Sequence, residues 1–239
     1  MITSSRTRQS ANQAVSGGGN QPGAESWQET KSQLTREAIL EATIMCFISQ
    51  GYANTTTPGI AAMAKISRGA MTHHFKSRKD VIYSAIAYLY RKRISEYQSL
   101  MSEAISKRKP SDTSIEAIRE DMNNVVRALW KYYTLPCYYA HLELITASRT
   151  DLELAQVLVS LNQDAEKVVP QFFRAMFPHW STSEENITLT FDLLISTLRG
   201  MSVSYMNIRK TSRIENMLNH LVEICLDINA VQLLSANNR

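Results

Sequence analysis

The stretch Arg68-Gly69-Ala70-Met71-Thr72-His73-His74-Phe75 gathers Arg68, Thr72, His73 and His74 beside the small residues Gly69 and Ala70. Formed as a helix, it offers a guanidinium, a hydroxyl and two imidazoles, donors suited to base edges and phosphates. Gly69 and Ala70 let a helix backbone come close to a duplex, whose major groove is wide enough for one α-helix. Phe75 is the apolar anchor that would hold such a helix to a core. Two more cations follow at Lys76 and Arg78. Metal binding is the competing use of the two imidazoles. Side chains of adjacent residues do not face one another across a helix, and Cys46 sits in an apolar pattern. No metal and no cofactor is therefore expected. Catalytic signatures are missing too: there is no Walker phosphate loop, Gly-rich dinucleotide fingerprint, HExxH or CxxC. One Ser-x-x-Lys spacing, Ser106 to Lys109, falls in a basic helix end and carries little. The chain is not expected to be an enzyme.

A second concentration of chemistry lies further on. Leu129-Trp130-Lys131-Tyr132-Tyr133 and Cys137-Tyr138-Tyr139-Ala140-His141 are rich in aromatics with polar tips, and Phe172, Phe173, Met176 and Phe177 form another group. Small-molecule sites are built from apolar walls with a few hydrogen-bonding groups. Trp130, Tyr133, Tyr138, His141, Phe173 and Met176 are the candidates for an effector pocket, although aromatics at helical spacing serve equally well as plain core.

The elements that must position these residues are helices. Leu34, Ala38, Ile39, Ala42, Met45, Cys46 and Phe47 recur at three- and four-residue steps. Gly51 stops that helix, since glycine takes a left-handed cap cheaply. Thr55-Thr56-Thr57-Pro58-Gly59 opens a short helix with a threonine cap and a proline in its first turn. The turn Lys65-Ile66-Ser67 leads into the Arg68–Phe75 helix. Ser77 with Asp80 has capping-box spacing. A long helix follows, with Val81, Ile82, Ala85, Ile86, Leu89 and Ile94 inward and Arg91-Lys92-Arg93 expected as a solvated face. Lys107-Arg108-Lys109-Pro110 ends it. Beyond Ser114 the chain reads as helix again, with joints at Pro136, 148–151, 178–183 and 210–213. Thr150 with Glu153, and Thr182 with Glu185, have capping-box spacing.

Two seams near the C-terminus repeat at four- and three-residue steps. One is Ile187, Phe191, Leu194, Leu198, Met201 and Tyr205; the other is Ile214, Leu218, Leu221, Cys225 and Ile228. Such seams suit an antiparallel hairpin that pairs with its copy in a four-helix interface, or one that packs into its own core.

Glycine and proline are sparse after the opening segment and no strand-period stretch is present, so the fold class is all-α. Residues 1–33 hold few large apolar side chains and read as a disordered arm, whose Arg6 and Arg8 either touch DNA or belong to a plain tail. Residues 34–80 read as a three-helix helix-turn-helix domain, and 81–239 as a helical bundle that carries the aromatic groups and the two seams. Residues 1–109 hold 15 Lys/Arg against 7 Asp/Glu, a balance of +8, whereas the rest hold 11 against 15, or −4. That asymmetry suits a phosphate-binding head on a body that does not bind phosphate. No apolar run reaches the roughly 18 residues that span a bilayer, and the Ser-rich start lacks a secretory core. Cys46, Cys137 and Cys225, odd in number and far apart, are expected as buried free thiols in a reducing cytoplasm.

Residues 35–89 resemble the DNA-binding domain of the TetR family of regulators. The resemblance is carried by Arg36-Glu37-Ala38-Ile39-Leu40, Phe47, Gly51, Thr55-Thr56, Ile60-Ala61, Ser67-Arg68-Gly69-Ala70 and His73-His74-Phe75-Lys76-Ser77, in order and at matching spacing. It implies DNA contacts by Thr56, Arg68, Thr72, His73, His74 and Arg78, with Gly69 and Lys76 on the same surface. Two departures stand out. Lys65 occupies the place of the family's turn glycine, which implies a strained or reshaped turn. Met71-Thr72 replaces Leu-Tyr, and Thr72 loses the reach of that tyrosine to phosphate. The resemblance further implies a homodimer through the last two helices, a palindromic operator, repression, and a small lipophilic or aromatic effector. A ligand-independent or architectural DNA-binding protein is the alternative.

Overall fold

The computed structural model describes residues 22–109, 111–112, 114–162, 177, 184–204 and 211–236. All regular structure among the described residues is helical. Arg6, Arg8, Phe172, Phe173, Met176, Thr182 and Tyr205 lie outside them.

Helix α1 spans Pro22–Gln50, twelve residues further toward the N-terminus than the apolar pattern indicates. Its first part is held by neighbours one turn apart rather than by burial. Gln33 Nε2 donates to Glu37 Oε1 at 2.8 Å, and Lys31 Nζ lies 5.3 Å from the Trp27 ring centroid. Trp27 and Leu34 are 65% and 61% exposed, so Leu34 is not the core residue its spacing suggests. Ala38 and Met45 are exposed as well. Packing divides the chain at Glu37: residues 1–37 form one unit and 38–239 another.

The second unit begins with the rest of α1, where Ile39, Leu40, Ala42, Ile44, Cys46 and Phe47 face inward. Gly51 ends the helix at φ +82°. Helices α2 (Thr57–Met63) and α3 (Arg68–His74) follow, then the long α4 (Arg78–Ser106). The Ser77 hydroxyl accepts from Asp80 N at 3.1 Å, and the Asp80 carboxylate accepts from Lys76 N at 2.9 Å. The expected capping box is thus present, with its return bond displaced by one residue. Helices α5 (Ile115–Tyr133) and α6 (Pro136–Ser148) come next, and then α7, residues 152–162. Asp151, not Thr150, caps α7 by accepting from Leu154 N at 2.9 Å. Helices α8 (Glu184–Ser204) and α9 (Thr211–Ala236) complete the order.

Two apolar clusters organise this unit. One joins α1–α3 and the start of α4 with Cys137, Ala140 and Leu144 of α6 and Leu154 and Leu158 of α7. The other joins the far half of α4 with α5, α8 and α9. Cys46, Cys137 and Cys225 are buried free thiols, and burial pushes the Cys225 thiol up to about 12.

The two C-terminal seams belong to this second cluster. Ile187, Leu194, Leu198 and Met201 on α8, with Leu218, Leu221 and Cys225 on α9, are buried within the chain, and Phe191 and Ile214 pack against the same core. The buried ones, enclosed by α5, α8 and α9, have no area left for a second copy, whereas Phe191 and Ile214 are half-buried and keep part of theirs. Asn229 Nδ2 donates to Thr190 Oγ1 at 2.9 Å between α8 and α9, and Arg127 Nη1 meets Glu215 Oε2 at 2.7 Å between α5 and α9. The apolar side chains that these two helices expose are others, Leu189 and Val203 on α8 and Met217 and Ile224 on α9. No described helix is long and apolar enough to cross a membrane.

Candidate nucleic-acid interface and internal cavity

Local hydrogen bonding sets the position of α3. The Thr56 hydroxyl caps α2 by accepting from Gly59 N at 3.2 Å, with Pro58 in the first turn. At the other end, Ile66 N donates to Ala61 O at 3.0 Å and Lys65 N to Ala62 O at 3.1 Å. These paired bonds make a Schellman cap, which needs a left-handed residue at its centre. Lys65 fills that place at φ +56°. The turn therefore keeps the shape glycine would give it, and lysine bears the strain. The Ser67 hydroxyl then caps α3 by accepting from Ala70 N at 3.1 Å.

Met71 and Phe75, one helical turn apart, are buried, which fixes the opposite face outward. Arg68, Gly69, Thr72 and His73 occupy that outward face and are exposed, as are Thr56 and Lys76 in the flanking loops. A methyl group added at Gly69 would meet only Ser67 Oγ, at 3.9 Å. Nothing inside the chain requires glycine there. The Thr72 hydroxyl donates to Gly69 O at 3.0 Å. His74 is half-buried, and its ring meets that of His73 edge to face with centroids 5.3 Å apart. The sequence expectation that these rings stay apart does not hold.

Arg78, exposed as a DNA contact must be, also has a task inside the chain. Its Nε donates to Thr55 O at 2.9 Å and its Nη2 to Tyr52 O at 3.4 Å. It ties the loop before α2 to the start of α4, so its guanidinium is largely committed within the chain. The same loop is held from α6 and α7. Tyr52 N donates to Glu143 Oε1 at 2.8 Å, the Tyr52 hydroxyl donates to Asp151 Oδ2 at 3.1 Å, and Lys79 pairs with Glu153.

A half-open cavity of about 670 Å³ lies among α4, α5, α6 and α8, with Asn162 of α7 at its edge. Tyr133, Tyr138 and His141, three of the expected pocket residues, line it. Trp130 does not; it packs against the neighbouring core. Tyr97, Tyr132, Phe191 and Ile195 add to the apolar wall. The tyrosine rings brace one another, with Tyr133 and Tyr138 4.7 Å apart and Tyr97 and Tyr132 5.5 Å apart, both edge to face.

The polar lining was missed. Arg93, read from sequence as part of a solvated basic run, is 7% exposed and lines the cavity. Its Cζ sits 5.0 Å from the Tyr90 ring centroid, and its Nε and Nη1 have no hydrogen-bond partner among the described residues. The sequence did hold a signal. Buried Ile86, Leu89, Tyr97 and Leu100 step along α4 with Arg93 on the same face. Arg199 on α8 also lines the cavity, its Cζ 5.8 Å from the Tyr133 ring centroid.

His141 Nδ1 lies 3.2 Å from the Tyr90 hydroxyl. Burial drives its pKa well below the ordinary imidazole value, and the charges of Arg93 and Arg199 push it the same way. The imidazole is thus neutral, and burial pushes the Tyr90 hydroxyl up to about 12.

Comparison with known proteins bears on both parts. Residues 39–85 match the family model described as bacterial regulatory proteins, tetR family. The chain is 21% identical over 197 residues to the HTH-type transcriptional regulator CymR of Pseudomonas putida, covering 82% of this chain and 92% of that one. It is 32% identical over 57 residues to the HTH-type transcriptional regulator SrpR of the same species, covering 24% and 27% of the two chains. A solved structure from Mesorhizobium loti, assigned to the TetR family, superposes with a TM-score of 0.60 at 15% identity, covering 82% of this chain and 97% of that one. At such identity the superposition speaks for the fold: a helix-turn-helix followed by a helical C-terminal domain.

Proposed function

We propose, on the premise that this chain belongs to the TetR family of bacterial regulatory proteins and is a helix-turn-helix transcriptional regulator, that it is a cytoplasmic, homodimeric repressor released from a palindromic operator by a small effector. The observation that carries this is the outward face of α3, where Arg68, Gly69, Thr72 and His73 stand clear while Met71 and Phe75 anchor the helix. Arg68 is the residue to read a guanine, through its two-pronged guanidinium. Thr56, Lys76 and His73 serve phosphates, and Gly69 permits close approach. Arg78 acts by holding the loop before α2.

The dimer forms through the outward faces of α8 and α9, where Leu189, Val203, Met217 and Ile224 are exposed. A two-fold dimer sets two copies of α3 about one DNA turn apart. The cavity is the effector site, and α6 is the element that joins it to the head. His141 on α6 lines the cavity, and half a turn on, Glu143 holds the Tyr52 amide. An effector that prefers one placement of α6 therefore biases the head through that hydrogen bond.

Release by such a bias must be reciprocal. Effector affinity measured by calorimetry, with and without saturating operator duplex, is expected to fall with DNA by the same factor as operator affinity falls with effector. An effector whose affinity is indifferent to operator would leave a ligand-independent DNA-binding protein as the better account.

A further inference from the structure

We infer that the effector is an organic acid: a carboxylate on an aromatic or other apolar body, its anionic head held by Arg93 with Arg199 as the second cation. This rests on the cavity being the effector site and adds the ligand's charge and class.

Arg93 carries the argument. A guanidinium is always charged and presents five donors in a planar fork. The Tyr90 and Tyr132 hydroxyls give it neutral partners, but enclosing it without an anion is costly, since charged groups leave water only when paired and hydrogen-bonded. Here it is 7% exposed, it borders the cavity, and Nε and Nη1 are without partners among the described residues. Nε and Nη1 lie on the two different edges of the fork, each shared with Nη2, and either edge can take a carboxylate in paired hydrogen bonds. The Tyr90 ring, 5.0 Å from Cζ, packs against the guanidinium without supplying an anion.

The surroundings agree. Arg199 brings a second positive charge to the same cavity, also packed on a tyrosine ring. Among the described residues the one carboxylate lining the cavity is Asp192, on the exposed side of α8 and in no ion pair with another described residue. His141, the remaining titratable cation in the wall, is held neutral. The net field therefore favours an anion. The tyrosine-lined remainder, with Phe191 and Ile195, suits a flat apolar body. A volume of about 670 Å³ is that of a site for a drug-sized molecule rather than a bare inorganic ion.

The test uses the full chain, without DNA, and matched trios of probes that differ only in head group. Suitable trios are 4-butylbenzoate, 4-butylbenzamide and 4-butylbenzylamine; 2-naphthoate, its amide and 2-naphthylmethylamine; and decanoate, decanamide and decylamine. Binding is followed by calorimetry and by thermal shift. In at least one trio the acid is expected to bind ten times or more tighter than the amide, with the amine weakest. Arg93→Gln is expected to reduce that preference at least tenfold, and Arg93→Lys, which keeps charge but not the fork, to restore part of it. The wild-type ranking alone decides the matter if a variant fails to fold. Should amide and acid bind alike in every trio, or an amine bind best, the charge inference falls and the effector site stands. If no probe of any charge binds at millimolar concentration, both fall together.

Discussion

Replacing Lys65 with glycine should make the protein more stable, although it removes a side chain and adds no contact. Lys65 closes the Schellman cap of α2 at φ +56°. A left-handed backbone costs an L residue about 1–2 kcal/mol, and glycine adopts it freely. Glycine also loosens the unfolded chain, which takes back up to about 1 kcal/mol. The lysine side chain is exposed and has no side-chain hydrogen bond or ion pair among the described residues, so little else is lost. The balance is a gain of about 0.5–1 kcal/mol, or about 1–4 °C in Tm for a unit of this size. Thermal and urea unfolding of Lys65→Gly against wild type measure it. Lys65→Val, which places a β-branched residue in the same geometry, should lose at least 1 kcal/mol by the same assay. A Lys65→Gly protein less stable than wild type would refute the left-handed turn, and with it the placement of α3 that depends on the turn.

Gly69→Ala should raise stability by about 0.5 kcal/mol through helix propensity, because the added methyl meets only Ser67 Oγ at 3.9 Å. Operator affinity should nonetheless fall at least tenfold in a fluorescence-anisotropy titration; retained affinity would show that the backbone at 69 does not approach DNA closely. Arg78→Ala should cost about 1–2 kcal/mol in urea unfolding, since the Thr55 and Tyr52 carbonyls lose their shared donor. The salt dependence of its DNA binding should keep the wild-type slope, whereas loss of a phosphate contact would reduce that slope by roughly one. Arg93→Met should raise the Tm of the ligand-free protein, by about 1–3 kcal/mol in stability, because it replaces a buried charge that has no ion pair among the described residues with an apolar side chain of similar length. A destabilised Arg93→Met would mean that the guanidinium already has its anion.

The head was the most legible part of the sequence, because its structure is fixed by local chemistry. Thr56, Ser67 and Ser77 cap the helices they precede, and Gly51 stops α1 in a left-handed conformation. Each is a short-range bond between a side chain and backbone a few residues away, and such bonds need no knowledge of the rest of the fold. Legibility ended where a residue's partner is remote. Charge type placed Arg91-Lys92-Arg93 in solvent, yet helical register turns the third of them inward, where tyrosines from α4, α5 and α6 enclose it. The place of Arg78 in the motif implies a DNA contact, but its carbonyl partners 23 and 26 residues away are not visible in the pattern. The seams through Leu194 and Leu221 have the spacing of a helix interface, which a dimer and a single chain's own core share. Only the position of α5 shows that the core has claimed them.

The measurement that bears most directly on the account is selection of binding sites from random duplex DNA by the purified chain, with the mass of the bound complex determined in parallel. The account predicts a palindrome with half-site centres about one helical turn apart, bound by two copies. Salt-sensitive binding with no recovered consensus, or a single asymmetric site bound by one copy, would contradict it.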